Sequence, residues 1–174
     1  TLIEDIEKWI EDALEKGFEQ ILYVDIDVVV LEKSKNVFEE FSGLAMRDHG
    51  AYWKEDLTPS YETYYNTGVI VLDRSSLKLL NDVELDYQYK DVWPIELPDP
   101  SEQSFLNKVI RDKKIEVAEM DSSWNKIHRE YVEGEDISML HFAGISHRTR
   151  AELIQEFLES SHYRQYIASH KRLY

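Results

Sequence analysis

The stretch ILYVDIDVVVL, residues 21–31, constrains the fold more than any other part of the sequence. It is rich in β-branched residues and almost entirely apolar, which suits a strand covered on both faces in a mainly parallel sheet. Asp25 and Asp27 interrupt it. Two carboxylates in an apolar strand carry a large desolvation cost unless each has a cation or hydrogen-bond donor beside it.

Two interpretations of this aspartate pair follow. In an extended strand, residues two apart point to the same face, so Asp25 and Asp27 can converge on one divalent cation bound through oxygen. Alternatively, the strand ends at Asp25 and both aspartates cap a turn. The apolar residues on both sides of the pair favour a cation site within a strand.

The charge balance limits the classes of partner. The chain has 35 acidic against 20 basic residues, a net charge of −15, and it contains no cysteine. Nucleic acid and anionic membranes repel such a surface, so neither is expected as the main partner. No apolar run approaches the roughly 20 residues of a membrane helix. The lack of cysteine excludes disulfides and thiol catalysis and favours a cytoplasmic location.

Helical and extended patterns alternate along the 174 residues, which predicts an α/β fold of one domain, residues 1–174. Residues 44–65 are predicted to be irregular. The predicted helices are 1–17, 34–41, 75–80, a helix capped by Ser101, and a helical tail at 149–174. The predicted strands are 21–31, 66–73, 115–118 and 138–142.

Five short blocks resemble those of nucleotide-sugar glycosyltransferases with the GT-A fold, especially glycosyltransferase family 8, which includes glycogenin and bacterial galactosyltransferases. The blocks are LYVDIDVVV at 22–30, YNTGVIVL at 65–72, EQSFLN at 102–107, Trp-Asn at 124–125 and HFAG at 141–144. They follow the family's order and lie within residues 18–150. The resemblance implies a Rossmann-like nucleotide-diphospho-sugar transferase fold, with a mixed sheet flanked by helices.

The resemblance also implies a metal site. Asp25 would contact the donor ribose or the metal, Asp27 would be a direct ligand, and His141 would be the third protein ligand. Two carboxylates and a neutral imidazole form an acceptable set for Mn²⁺ or Mg²⁺. Without the resemblance, His141 would more simply be a partly buried histidine at the end of a strand.

Further residues gain roles through the same resemblance. Asn66 and Gly68 would contact the transferred sugar or the acceptor, although both are also ordinary residues for a turn into a strand. Gln103 would lie near the anomeric carbon, where its amide oxygen stabilises developing positive charge. Glu102 replaces the family's aspartate and would hydrogen-bond the donor sugar, although an acidic residue also suits the first turn of a helix.

The region after Gly144, a predicted donor-binding residue, departs from the family pattern. A lysine that contacts the diphosphate is replaced here by His147, which Arg148 follows. Together with Arg150 they form a basic cluster in an acidic chain, and the planar guanidinium of Arg148 suits a phosphate. The other interpretation is a solvated start of the last helix.

The implied function is metal-dependent transfer of a hexose from a nucleoside diphosphate sugar, expected to be a UDP-sugar, to an acceptor hydroxyl with retention of configuration. A non-catalytic binding or assembly domain on the same scaffold is the main alternative, which the missing lysine favours. A haloacid-dehalogenase-type phosphatase is less consistent with the sequence, because Val28 stands where that family has a small residue.

In the GT-A fold, a βαβ segment ahead of the D-x-D strand holds the nucleotide base, whereas one predicted helix, residues 1–17, precedes that strand here. We therefore expect an N-terminally truncated fold. The chain is a fragment, a partner supplies the missing strands, or donor binding has been lost. A fragment is favoured, because the apolar D-x-D strand would otherwise expose an edge, which also predicts a homo-oligomer formed through that edge.

Overall fold

The computed structural model describes residues 8, 12–13, 15–31, 36–48, 63–76 and 102–160, with the backbone alone at 102, 104, 105 and 147. Most of the predicted helix at 1–17, residues 77–80 of the helix predicted at 75–80, and the tail beyond residue 160 lie outside this part. In the described residues, no helix has the length and apolar character needed to cross a membrane.

The described residues alternate between short strands and helices. In chain order they are β1 (Gln20–Val24), β2 (Val28–Val30), α1 (Val37–Glu40), β3 (Ala45–Asp48), β4 (Tyr65–Asp73), α2 (Glu102–Lys113), β5 (Ala118–Glu119), β6 (Lys126–Ile127), a 3-10 turn (His128–Glu130), β7 (Met139–His141) and α3 (His147–Glu159).

These strands form two sheets of mixed direction. The first has the order β1-β4-β3-β5 and the second the order β2-β7-β6. β4 is antiparallel to both β1 and β3, and β2 is antiparallel to β7, whereas β3–β5 and β6–β7 are parallel. The mixed α/β class is therefore confirmed. The expectation of a mainly parallel sheet around residues 21–31 is wrong, because the described neighbours of β1 and β2 run in the opposite direction.

The predicted strand at 21–31 is divided in two. β1 ends at Val24, and the amide of Val28 donates to the carbonyl of Asp25 over 3.1 Å, which closes a turn. At this turn the chain passes from the first sheet, which contains β1, into the second sheet, which contains β2. The turn predicted by the alternative interpretation is therefore present, and the uninterrupted strand is not.

The two sheets face each other across a shared core. Along β4, Val69 and Val71 point toward the second sheet, while Ile70 and Leu72 point toward α2. The cluster between the sheets consists of Val37, Ala45, Val69, Val71, Met120, Trp124 and Met139. On the far side of the second sheet, α3 packs against Leu140 and Phe142 of β7 and its extension. The order of layers is thus α2, first sheet, second sheet and α3.

Several element boundaries differ from the predicted ones. Residues 45–48, predicted as irregular, form β3, because Ala45 and Met46 are fully buried between β4 and β5. The strand predicted at 115–118 is β5 at Ala118–Glu119. Phe38 of the short helix α1 is 40% exposed. The strand at 66–73, the helix after residue 101, the strand at 138–142 and a helix near 149 are present as β4, α2, β7 and α3.

Trp124 tests how much the shared core contributes to stability. Its side chain is 3% exposed and meets Phe41 edge to face at 5.8 Å. We expect Trp124→Ala to lower the free energy of unfolding by about 3–5 kcal/mol, because it removes a large buried aromatic ring and leaves a cavity. Urea unfolding of the full chain measures this change.

Phe18→Ala provides a matched control, since Phe18 is also aromatic but 59% exposed. This variant should change the free energy of unfolding by less than about 0.5 kcal/mol. Equal losses in the two variants would contradict the described core.

Candidate functional site

A cluster of three ionisable side chains lies where the chain passes from one sheet to the other. Asp25 and Asp27 occupy the turn between β1 and β2, and Ile26 between them is fully exposed. His141 ends β7, where it pairs with Val28. Because successive residues of a strand alternate between faces, His141 shares the inner face of β7 with Met139. The structure therefore brings together the three residues that the sequence predicted as metal ligands.

The cluster is compact and buried on one side. The Nε2 atom of His141 lies 3.3 Å from Oδ1 of Asp27 and 3.8 Å from Oδ2 of Asp25. One ligand atom from each of the three residues lies within 4.8 Å of the other two. Asp27 and His141 are almost completely buried, whereas the side chain of Asp25 is 37% exposed. Access to the cluster is therefore from the side of Asp25.

Each of these three residues is held by a neighbour through the atom that faces away from the cluster. The contacts are Tyr23 Oη donating to Asp25 Oδ1 at 2.8 Å, Arg150 Nη1 with Asp27 Oδ2 at 3.0 Å, and Asn125 Oδ1 with His141 Nδ1 at 3.0 Å. The remaining atoms, Oδ2 of Asp25, Oδ1 of Asp27 and Nε2 of His141, turn toward one another. Such outer contacts orient the ligands of a metal and strengthen its binding.

The pKa values of the two carboxyl groups are shifted in opposite directions. Burial has the largest effect on Asp25 and raises its pKa, which the charges of His141 and Arg150 and the Tyr23 hydrogen bond do not offset. Burial also favours the neutral form of Asp27 and by itself would raise its pKa. For that residue, the hydrogen bond and charge of protonated His141, together with the charge of Arg150, prevail and lower the pKa. Asp27 is therefore the more firmly ionised of the pair.

Gly68 makes room for the imidazole. It lies on β4 opposite the cluster, and a Cβ atom built on it would be 2.0 Å from Cε1 of His141. The carbonyl of Gly68 also accepts from the amide of Asp25 over 2.8 Å, which ties the turn to β4. A role of Gly68 at the sugar stays a prediction, whereas the space that a side chain on Gly68 would need is filled by the ring of His141.

The chemistry of the cluster suits a divalent cation. It offers two carboxylate oxygens and an imidazole nitrogen, a donor set that Mn²⁺ and Mg²⁺ accept. Two carboxylates beside one imidazole also concentrate negative charge, which a cation would neutralise. Asp25, Asp27 and His141 are thus a set of residues that could hold a metal ion.

Asn66 and Gln103 lie behind the cluster and are engaged with protein groups. Asn66 is 6% exposed, and its Nδ2 donates to Oε1 of Gln103 over 3.0 Å. The same oxygen accepts from the amide of Thr67 at 3.1 Å. A role of this oxygen at the anomeric carbon stays a prediction, and it would require the oxygen to be shared with these two donors. The side chain of Glu102 lies outside the described part, so its predicted role also stays open.

The two arginines of the basic cluster after Gly144 point in different directions. Gly144 has φ +71°, a left-handed conformation that glycine adopts without strain, and it turns the chain from β7 into α3. Arg148 is 93% exposed at its side chain and faces Glu152 at 3.5 Å. Arg150 instead reaches Asp27 and donates from Nη2 to the carbonyl of Ile145 over 2.9 Å. His147 begins α3, and its side chain is not among those described.

Arg150, like Tyr23 and Asn125, contacts the cluster although the sequence prediction did not assign it to the site. Its helical spacing could have identified it, because it precedes Leu153, Ile154 and Phe157 by three, four and seven positions on the buried stripe of α3. Arg148 lies off that stripe. The Nε atom of Arg150 is buried and has no hydrogen-bond partner among the described groups.

Comparison with known proteins gives one kind of match. No protein-family model matches the chain, and no curated protein matches it. Among solved structures, a glycosyltransferase involved in the glycosylation of the major capsid of PBCV-1 is similar, with a TM-score of 0.57 and 22% sequence identity. The alignment covers 86% of this chain and 73% of that one.

The chain has a glycosyltransferase fold. This agrees with the GT-A-like architecture expected from the sequence blocks. At 22% identity the similarity is one of fold, and membership of glycosyltransferase family 8 and the N-terminal truncation stay predictions.

Gly68→Ala should displace the imidazole of His141, because the added methyl group overlaps the ring. We expect the free energy of unfolding to fall by about 1–3 kcal/mol from overpacking. Urea unfolding measures the change.

The same substitution in a His141→Ala background serves as its control. With the ring removed, the methyl group has space, and the cost of Gly68→Ala should largely disappear. An undiminished cost in that background would show that the glycine is required for a reason other than His141.

Proposed function

We propose that the protein is a metal-dependent glycosyltransferase that moves a hexose from a nucleoside diphosphate sugar, a UDP-sugar, to an acceptor hydroxyl. The observation that carries this proposal is the convergence of Asp25, Asp27 and His141 on a chain with a glycosyltransferase fold. The similar solved structure is of a protein that acts in glycosylation, and the five sequence blocks point to the same chemistry.

In this proposal, Asp25, Asp27 and His141 hold Mn²⁺ or Mg²⁺. The ion would act as a Lewis acid that neutralises charge on the leaving diphosphate. The chain's own residues prepare its site. Tyr23 turns Asp25 toward the cluster, and Arg150 does so for Asp27. The partial exposure of Asp25 leaves one side open to a ligand.

The proposed reaction retains the configuration of the sugar carbon. The bond between that carbon and the diphosphate oxygen breaks, and its electron pair leaves with the nucleoside diphosphate. The acceptor oxygen forms a new bond to the same face of the carbon, and its proton passes to the leaving phosphate. This front-face path needs no carboxylate nucleophile on the protein, and the sequence offers no pair assignable as nucleophile and acid.

Arg150 is the cation that we propose for the diphosphate. An excess of 15 negative charges means that a phosphate needs local positive charge to bind. Arg150 lies beside Asp27, and its buried Nε is a donor with no described partner. Arginine presents several donors in one plane, so it can contact Asp27 and a phosphate together. His147 and Arg148 stay as candidates for a more peripheral contact.

The remaining predicted positions are retained as parts of the donor and acceptor site. Asn66, Gly68 and Gly144 would border the sugar, and Gln103 and Glu102 would act near the anomeric carbon. We propose a cytoplasmic enzyme without nucleic acid or membrane partners. Self-association would occur through the free edge of β1, which pairs with β4 on one side in the described residues.

A second candidate function is a non-catalytic binding domain on the same scaffold. The ion pair between Arg150 and Asp27 favours it, because it already compensates the buried charge of Asp27 as a purely structural pair would. Metal and nucleotide binding distinguish the two candidates, since a scaffold has no need for either.

Asp27→Asn tests the proposed metal site. Calorimetric titration of the full chain with UDP in the presence of Mn²⁺ should give binding that depends on the metal. Asp27→Asn should lower the metal-dependent affinity for UDP more than about 100-fold. Removal of a residue that only orients a metal ligand already costs about 10–100-fold in metal affinity.

Asp136→Asn is the matched control, because Asp136 is exposed and the charge change is the same. Its affinity should equal that of the unchanged chain. If the unchanged chain binds neither Mn²⁺ nor UDP with Mn²⁺, the binding-domain candidate replaces the enzyme.

Arg150→Gln separates the metal from the diphosphate. Glutamine can still donate a hydrogen bond to Asp27 in place of Arg150, while a positive charge beside the cluster is removed, so Mn²⁺ binding should be at least as tight as before. Affinity for UDP in the presence of Mn²⁺ should fall about 10- to 100-fold, the value of a charge-assisted hydrogen bond. Calorimetry with Mn²⁺ alone and then with UDP measures both quantities.

Arg148→Gln is the comparison variant. A loss of UDP affinity in Arg148→Gln and not in Arg150→Gln would assign the phosphate to Arg148, as the sequence predicted. It would also contradict the role proposed for Arg150.

A further inference from the structure

A relay of hydrogen-bonded side chains leads from the half-buried Gln103 of α2 to the imidazole of the cluster. Its members are Gln103, Asn66, Asn125 and His141, joined by hydrogen bonds of 3.0, 2.7 and 3.0 Å. Asn66, Asn125 and His141 are 6%, 0% and 3% exposed. Solvent is therefore nearly excluded from these contacts, and each polar atom depends on its protein neighbour.

Two backbone amides fix which end of each carboxamide donates and which accepts in this relay. The amide of Gly68 donates to Asn66 over 3.0 Å, and the amide of Thr67 donates to Gln103 over 3.1 Å. A backbone N–H can only donate, so the side-chain atoms that face these amides must be oxygens. The orientation of Asn66 and Gln103 therefore follows from the backbone and not from a choice between equivalent amide positions.

The orientation of Asn125 follows from that of Asn66. Its carboxamide approaches the oxygen of Asn66 to 2.7 Å, so the approaching atom must be the donor Nδ2. The other end, Oδ1, then faces Nδ1 of His141 at 3.0 Å. An oxygen there requires a ring proton on Nδ1, so it is the neutral form of the ring whose Nε2 lone pair is directed at Asp25 and Asp27.

The orientation of Asn125 matters because the two carboxylates favour the other tautomer of His141, with the proton on Nε2. Oδ1 of Asp27 and Oδ2 of Asp25 lie 3.3 and 3.8 Å from Nε2, and both attract a ring proton to that atom. A neutral imidazole with its proton on Nε2 has no lone pair there and cannot bind a metal through that atom. Asn125 opposes this tautomer by offering an oxygen to Nδ1.

We propose that Asn66 and Asn125 are positioning residues that hold neutral His141 with its proton on Nδ1, so that Nε2 is the metal ligand. Asn66 acts through Asn125, and the backbone amide of Gly68 sets the direction of both. The value of this arrangement rests on the metal site proposed above, but the tautomer itself is a property of the metal-free protein.

Nitrogen-15 NMR of the imidazole tests the proposal on the full, unchanged chain. In metal-free buffer alkaline enough to keep the ring neutral, we expect His141 to carry its proton on Nδ1. A proton on Nε2 would overturn the proposal even if the metal binds. If the proton is on Nδ1 and the protein binds no Mn²⁺, the relay stands and the proposed function fails.

Substitutions at Asn66 test the relay without touching His141. Asn66→Ala removes the acceptor for Asn125, so Asn125 is free to reverse and the proton should move to Nε2. Affinity for Mn²⁺ alone should fall about tenfold, as for loss of an outer-shell partner. Asn66→Asp retains an acceptor oxygen for Asn125 and should keep the Nδ1 tautomer, although it removes the donor to Gln103.

Asn107→Ala is the control for a merely structural effect. Asn107 is also a buried amide, 7% exposed, but it bonds to the backbone of Tyr65 and Gln103 and not to the side-chain amides of the relay. It should lower stability and leave the tautomer of His141 unchanged. An unchanged tautomer in Asn66→Ala, or the same shift in Asn107→Ala, would contradict the assignment.

Discussion

Asp27 carries a negative charge into a part of the protein that is almost closed to water, and this desolvation is the constraint on which the site depends. One oxygen of the carboxylate meets Arg150 and the other meets His141, and the positive charges of Arg150 and of protonated His141 lower its pKa. Asp25 has a weaker set of partners and a raised pKa. A buried charge with two partners and a half-exposed charge beside it form an asymmetric pair, open on one side only.

The parts of the fold that depend on local pattern could be predicted from the sequence. β4 carries a continuous apolar run and α3 an apolar stripe at helical spacing, so their existence needed no knowledge of the rest of the chain. The division of residues 21–31 could not be found in the same way. It arises because β1 pairs with β4 while β2 pairs with β7, more than a hundred positions further along. An apolar run alone does not tell a single strand from two strands in facing sheets.

The residues of the candidate site also divide into those that a sequence pattern shows and those that depend on packing between distant parts of the chain. Asp25, Asp27 and His141 were identified through blocks whose spacing is a property of the sequence. Arg150 was recognised only as one member of a basic cluster, since the choice between it and Arg148 depends on which face of α3 packs inward. The role of Asn125 depends on Asn66, which is 59 positions away, and on a backbone amide that no sequence pattern displays.

The contact between Gly68 and His141 places a tight steric condition on two positions far apart in the chain. The ring occupies the volume that a methyl group on residue 68 would need. Any relative of this protein that acquires a larger side chain at position 68 is therefore expected to carry a smaller one at position 141, and so to lack the imidazole of the cluster. Variation at the two positions should be correlated, and the identity of the residue at position 68 would then report whether such a relative retains the histidine of the cluster.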